Sequence, residues 1–154
     1  MKSISRTLII LLVILLIQIM PVSGSFVAAE GLAAYIKPIS NPAAGQTIKI
    51  TVAIRGTINL TNYNMIVGYD PNLFSFVGKD SVKNLAPSVS DLRVSDTGSS
   101  VIVVANGDMQ NNASSLFQLS FKALKAGSSK FTLSEIHIND EDPASSSVAV
   151  TVTE

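Results

Sequence analysis

The stretch NYNMIVGYDPNL, residues 62–73, decides the fold class. Alternate positions of its first eight residues point to opposite sides of a strand: Tyr63, Met65, Val67 and Tyr69 on one side, and Asn62, Asn64, Ile66 and Gly68 on the other. The triplet Asp70-Pro71-Asn72 then ends the strand, because proline fixes φ and the flanking Asp and Asn accept turn geometry. The stretch therefore predicts a half-buried antiparallel strand followed by a tight turn.

The same period of two recurs along most of the chain. Residues 47–55 place four aliphatic side chains on one face and mainly polar side chains on the other. Clusters of Gly, Pro, Asn and Asp separate the predicted strands, and residues 81–85 are predicted to form a single helical turn. Short strands with frequent turns predict an all-β antiparallel sandwich. The remaining strands are predicted at residues 33–39, 73–77, 89–94, 101–105, 116–123, 130–138 and 148–153.

The start of the chain has the pattern of a secretory leader. Lys2 and Arg6 precede an almost unbroken apolar run over residues 8–20, which small residues follow. This order is typical of a signal peptide. The alternative, an uncleaved membrane anchor, is disfavoured because this run is shorter than the roughly 20 residues that cross a bilayer core. We predict a signal peptide over residues 1–29 and one domain over residues 30–154, secreted or at the cell surface and not inserted in a membrane.

Composition excludes several kinds of function. Of 154 residues, 47% are hydrophobic and 14% are charged, and the chain has neither cysteine nor tryptophan. Without the leader, Lys2 and Arg6 are lost, and nine basic side chains remain against 11 acidic ones. A net charge of −2 gives no overall electrostatic drive toward nucleic acid. The absence of cysteine excludes disulfides, thiolate zinc sites and a cysteine nucleophile.

The inventory of reactive side chains is equally poor. His137 is the one histidine, and no serine-nucleophile motif accompanies it. We therefore predict no catalytic residues and no enzyme activity. Asp140 and Asp142 lie in an acidic cluster that could bind calcium through oxygen ligands, but the DxDxDG spacing is missing. Apart from this weak calcium hypothesis, no cofactor or metal is expected.

Two further kinds of surface chemistry can be considered. Asn59 and Asn112 begin Asn-x-Ser/Thr triplets and are candidate glycosylation sites. An aromatic platform for sugar rings is disfavoured because tryptophan is absent and Tyr63 and Tyr69 share the predicted core face. Tyr35 is then the remaining tyrosine for sugar stacking.

Three segments of the chain resemble cohesin domains. Residues 62–73 resemble the third strand of that family with its YDPN-type turn. Residues 42–52 look like its PGxTVxIPV second strand, and residues 116–127 look like its FxxIxFKVK…AxxG segment. The order and spacing agree over nearly the whole predicted domain, whereas residues 78–100 are short and match weakly.

The resemblance implies a nine-stranded jelly-roll sandwich that binds a dockerin, a small calcium-loaded helical module on another protein. The family's contact positions would fall on Asn62, Asn64, Asn106 and Asp108. Where the family usually has acids at or near two of these positions, Asn64 and Asn106 carry amides, which still donate and accept hydrogen bonds.

The leading hypothesis is thus a secreted, non-catalytic, cohesin-like module that binds a dockerin-type protein through one sheet face and assembles extracellular complexes linked to polysaccharide breakdown. One alternative is a carbohydrate-binding module of the same sandwich superfamily, with a polysaccharide as its partner. Another is a structural or adhesive surface domain without a separable ligand.

Overall fold

The computed structural model describes residues 31–56, 59–86, 89–107 and 114–154. The predicted signal peptide, the partner-binding candidate Asp108 and the glycosylation candidate Asn112 lie outside these ranges. No helix in the described ranges is long and apolar enough to cross a membrane.

The described residues form ten strands and one 3₁₀ turn, Lys79–Ser81. The strands are β1 Ala33–Ile36, β2 Thr47–Arg55, β3 Asn62–Gly68, β4 Phe74–Phe76, β5 Lys83–Asn84, β6 Asp91–Asp96, β7 Ser100–Asn106, β8 Ser115–Ala123, β9 Gly127–Ile138 and β10 Ser146–Val152. Nine of them lie where alternation predicts a strand, and the tenth is the two-residue β5. The predicted all-β antiparallel sandwich is confirmed.

Two antiparallel sheets enclose the core. The first sheet has the order β1-β2-β8-β4, with β5 also paired to β8. The second sheet has the order β10-β9-β3-β7-β6. Because β2 and β3 lie in different sheets, the alternation of each strand turns its apolar side chains into the space between the sheets.

An aromatic cluster fills the centre of this space. Phe131 contacts both Phe74 and Phe121, with ring centroids 4.8 Å and 4.9 Å apart, and all three side chains are fully buried. Tyr63 stacks on Phe117 at 5.8 Å nearer one end of the core. Since the chain has no cysteine, burial of these rings and of the surrounding aliphatic side chains stabilises the fold without disulfides.

The predicted helical turn at residues 81–85 is wrong in its position. The 3₁₀ turn comes earlier, after Gly78, whose φ of 118° lies in the region that favours glycine. Ser81 donates its hydroxyl hydrogen to the Gly78 carbonyl at 2.7 Å. Residues 83–84 instead pair with β8 as β5, because ladder hydrogen bonds outweigh a weak local helix preference. Strands β4 and β5 thus follow one edge of β8, with a break between them.

Candidate binding face

The outer face of the second sheet brings together several residues that are distant in sequence. Across this face Asn62 lies opposite Asn106, and Asn64 lies opposite both Val104 and His137. Arg93 on the edge strand β6 lies opposite Val104 on its other side. We call this surface the binding face; it comprises Asn62, Asn64, Ile66, Arg93, Ser95, Ile102, Val104, Asn106, Ser134 and His137.

A half-buried apolar stripe crosses the middle of the binding face. Ile66 on β3 pairs with Ile102 on β7, and Val104 lies one outward position further along β7. Alternation predicted that Ile66 points outward, but the sequence VIVVA at residues 101–105 is apolar on both faces and hides its period. The pairing of β7 with β3 identifies Ile102 and Val104 as outward residues, and this pairing cannot be read from the sequence.

Asn64 lies at the centre of the binding face with unused hydrogen-bonding capacity. Its side-chain oxygen is buried and has no hydrogen-bond partner among the described groups. A buried acceptor without a partner is destabilising, by about 1 to 3 kcal/mol. On binding, rotation of the Asn64 amide would let its oxygen accept a hydrogen bond from a donor on another molecule. That hydrogen bond would remove the penalty.

Charged groups lie at the sides of the apolar stripe rather than on it. Arg93 pairs with Asp91 at 2.8 Å, and this carboxylate raises the pKa of the guanidinium. On the opposite side, His137 Nδ1 lies 2.5 Å from Asp142 Oδ1. The binding face therefore has an apolar centre with amides and hydroxyls around it. An Arg–Asp ion pair lies on one side and a His–Asp hydrogen bond on the other.

Of the four predicted partner contacts, the three that the structure describes lie on the binding face. Asn62 and Asn106 are exposed and directly opposite each other, and Asn64 is half-buried one outward position along β3. Their grouping agrees with alternation and strand pairing; their contact with a partner stays a prediction.

The calcium candidates are separate from these amides. Asp142 is paired with His137, and Asp140 is exposed in the turn after β9. Within the described ranges, no group of three or more His, Asp or Glu side chains could hold a metal ion. Calcium binding by Asp140 and Asp142 thus stays a prediction, supported by sequence alone.

The candidate glycosylation residue Asn59 lies beside one end of the binding face. It is exposed, and its carbonyl accepts a 2.7 Å hydrogen bond from Asn139 Nδ2. The hydroxyl of Thr61, in the same triplet, donates to Asn139 Oδ1 at 3.0 Å. Asn139 has a left-handed φ of 53°, which Asn tolerates better than most residues. The triplet is therefore held against the end of β9.

The tyrosines offer little ring surface for sugar stacking in the described part of the chain. Tyr63 is 1% exposed, and Tyr69 is 8% exposed with its hydroxyl bonded to Asp96 at 3.1 Å. The Arg55 guanidinium lies 5.4 Å above the Tyr35 ring. The geometry therefore favours a protein surface over an aromatic sugar platform on this domain.

Comparison with known proteins agrees with the sandwich geometry. The family profile described as "Cohesin domain" matches residues 32–154. No curated protein matches the sequence. A cohesin module from a family 33 glycoside hydrolase of Clostridium perfringens has a similar structure, with a TM-score of 0.63 and 16% identity, over 79% of this chain and 96% of that one.

Two structures of complexes contain similar chains. The sixth cohesin of scaffoldin B from Acetivibrio cellulolyticus, in complex with a Cel5 dockerin mutant, gives a TM-score of 0.63 at 13% identity, over 79% of this chain and 99% of that one. A type I cohesin–dockerin complex from Clostridium thermocellum gives a TM-score of 0.56 at 14% identity, over 79% of this chain and 98% of that one. At sequence identities this low, the structural similarity establishes that this chain and those chains share a fold.

Proposed function

The chain belongs to the cohesin family, and from this membership we propose that it is a non-catalytic module that binds a dockerin-bearing protein through the binding face. The two complexes named above contain cohesins bound to dockerins. Their similarity to this chain supports a partner of the same class here.

The observation that carries the proposal is the half-buried apolar stripe of Ile66, Ile102 and Val104. Specific protein interfaces combine a desolvated apolar centre with a polar rim. Here the rim offers amides from Asn62, Asn64 and Asn106, which can donate to and accept from a helix surface. A regular β-sheet presents this arrangement without a loop rearrangement, so little conformational entropy is lost on binding.

We also propose that the module acts outside the cell and takes part in complexes that degrade polysaccharides. The basic and apolar leader supports export. The similar module of Clostridium perfringens is part of a glycoside hydrolase, which supports a partner with a related activity. The module itself would supply binding and no chemistry.

Titration of the purified domain with dockerins of the same organism tests the proposal. We expect Ile102→Arg to abolish binding, because it places a charge in the apolar stripe, while the melting temperature changes little at this half-buried position. Thr51→Arg, at a half-buried position facing outward from the first sheet, is the matched control and should bind normally. Normal binding by Ile102→Arg, or equal loss in both variants, would refute the assignment of the binding face.

A further inference from the structure

The first sheet carries a concentration of positive charge that the proposed dockerin contact does not use. Its five strands contain Lys49, Arg55, Lys83 and Lys122 and no Asp or Glu. The strands of the second sheet contain two basic and three acidic residues. The small net charge of the domain therefore conceals an asymmetry between its two sheets, and the first sheet alone would attract anions.

Lysines and hydroxyl or amide side chains alternate on this outer face. Lys122 lies opposite the exposed residues Thr47 and Ser75. Lys49 lies opposite Ser120, which is buried and donates its hydroxyl to the Ser81 carbonyl. Among the described residues, Lys49, Lys83 and Lys122 form no ion pair. Neighbouring strands are about 4.8 Å apart, so the ammonium groups of this face form an array and not a single site.

A groove adjoins the array where β2 begins. It has a volume of about 410 Å³ and lies between residues 38–42 and residues 46–49. Ser40, Thr47 and Lys49 are among the residues that line it.

Two amides in the lining of this groove have their oxygens occupied and their nitrogens unused. Asn41 Oδ1 accepts from the Thr151 amide at 3.0 Å, and Gln46 Oε1 accepts from the Ala43 amide at 2.9 Å. Neither side-chain NH₂ group has a partner within the described ranges. The residues that line the groove thus carry two free amide donors, beside the exposed Lys49. A ligand for it must supply acceptors, and the charge of Lys49 favours an anionic one.

We propose that this groove and the adjoining lysine array bind an acidic polysaccharide, with the carboxylate of one sugar in the groove and further carboxylates along Lys49 and Lys122. The exposed hydroxyls of Thr47 and Ser75 beside Lys122 can pair with the hydroxyls of such a polymer. Nucleic acid fits less well because the tyrosine on the described part of this face, Tyr35, is half-buried with the Arg55 guanidinium over its ring, which leaves little surface for base stacking. The lysine array lies on the outer side of the first sheet, opposite the binding face, so the proposal does not depend on the proposed function.

Affinity electrophoresis of the full domain in polygalacturonate gels tests this proposal. Fully methyl-esterified polygalacturonate is the matched ligand control, since it has the same sugars without the charges. We expect retardation by the acidic polymer alone. Its affinity should fall about tenfold between about 50 and 200 mM salt, which is the salt dependence of a protein that neutralises a few phosphates of single-stranded nucleic acid. Equal retardation by the ester, or none by either polymer, would overturn the proposal.

Three variants locate the site. Asn41→Asp keeps the acceptor for Thr151 and replaces the free donor with a carboxylate oxygen, so binding should be lost while the melting temperature is kept. Lys49→Gln should weaken binding several-fold, and Lys130→Gln, which makes the same charge change on the exposed side of β9, should not. Equal effects of the two lysine changes, or equally tight binding of DNA of matched length, would show unspecific attraction and refute the site.

Discussion

The side chain of Asn139 holds Thr61, which lies 78 positions earlier in the chain: Asn139 Oδ1 accepts from the Thr61 amide at 2.9 Å and from its hydroxyl at 3.0 Å. A third hydrogen bond reaches the Asn62 amide at 3.3 Å. One side chain at the end of β9 thus fixes the point at which the central strand β3 begins, and with it the position of Asn62 and Asn64 on the binding face.

The first prediction concerns this side chain. Asn139→Ala should lower the free energy of unfolding by about 2 to 4 kcal/mol, because it removes several hydrogen bonds of about 1 kcal/mol each and places alanine at a positive φ. Asn139→Asp keeps the acceptor and loses only the donor to Asn59, so its loss should be near 1 kcal/mol. Urea denaturation measures both. Equal losses in the two variants would show that the acceptor bonds contribute nothing.

The second prediction concerns the hydroxyl of Tyr63, which is buried without a hydrogen-bond partner among the described groups. Tyr63→Phe keeps the stacking on Phe117 and removes the unpaired hydroxyl, so it should stabilise the domain by about 1 kcal/mol. Met65→Ala, two positions along the same buried face, should instead cost about 2 to 5 kcal/mol through the cavity it leaves. A loss of stability in Tyr63→Phe would indicate a hydrogen bond to ordered water.

The third prediction is an alkaline loss of stability. Burial and the hydrogen bond to Asp96 raise the pKa of Tyr69 from its ordinary value of 10.0 to about 12. Because the folded pKa lies above the unfolded one, this stabilisation is fully present below pH of about 10 and is lost as the pH rises toward about 12. Burial also raises the pKa of Tyr63, so both phenols contribute.

Thermal melts at a series of alkaline pH values check this behaviour. Tyr69→Phe should cost about 1 kcal/mol at neutral pH, because the hydrogen bond to Asp96 is lost, and should make the decline above pH of about 10 shallower. Tyr35→Phe is the control, since that half-buried tyrosine lies on the outer side of β1 and not in the core. An unchanged alkaline slope in Tyr69→Phe would contradict the assignment.

The fourth prediction separates binding from folding at Asn64. Asn64→Arg should abolish dockerin binding, because it places a long cation beside Ile66 and Val104, and should leave the melting temperature nearly unchanged. Val67→Ala on the same strand faces the core and should do the reverse, keeping the binding face while lowering stability. A large fall in the melting temperature of Asn64→Arg would assign Asn64 to the fold and not to the interface.

Sequence reasoning was most successful where one face of a strand is polar. Residues 47–55 and 62–68 alternate clearly, and both strands lie as predicted. It failed at residues 81–85, where pairing with β8 decides the conformation, and it missed Ile102 and Val104, because a strand that is apolar on both faces shows no period. Strand pairing is a long-range property, so the apolar stripe, which spans two strands, became visible only in three dimensions.

The break between β4 and β5 affects whether two molecules can associate edge to edge. On that side of β8 the edge strand offers only three residues, then a 3₁₀ turn, then two more. A flat and continuous edge would invite another chain to extend the sheet, whereas an interrupted edge gives it too few consecutive backbone groups. Molecules of this domain at high concentration would therefore remain separate at that edge instead of growing into a shared fibre.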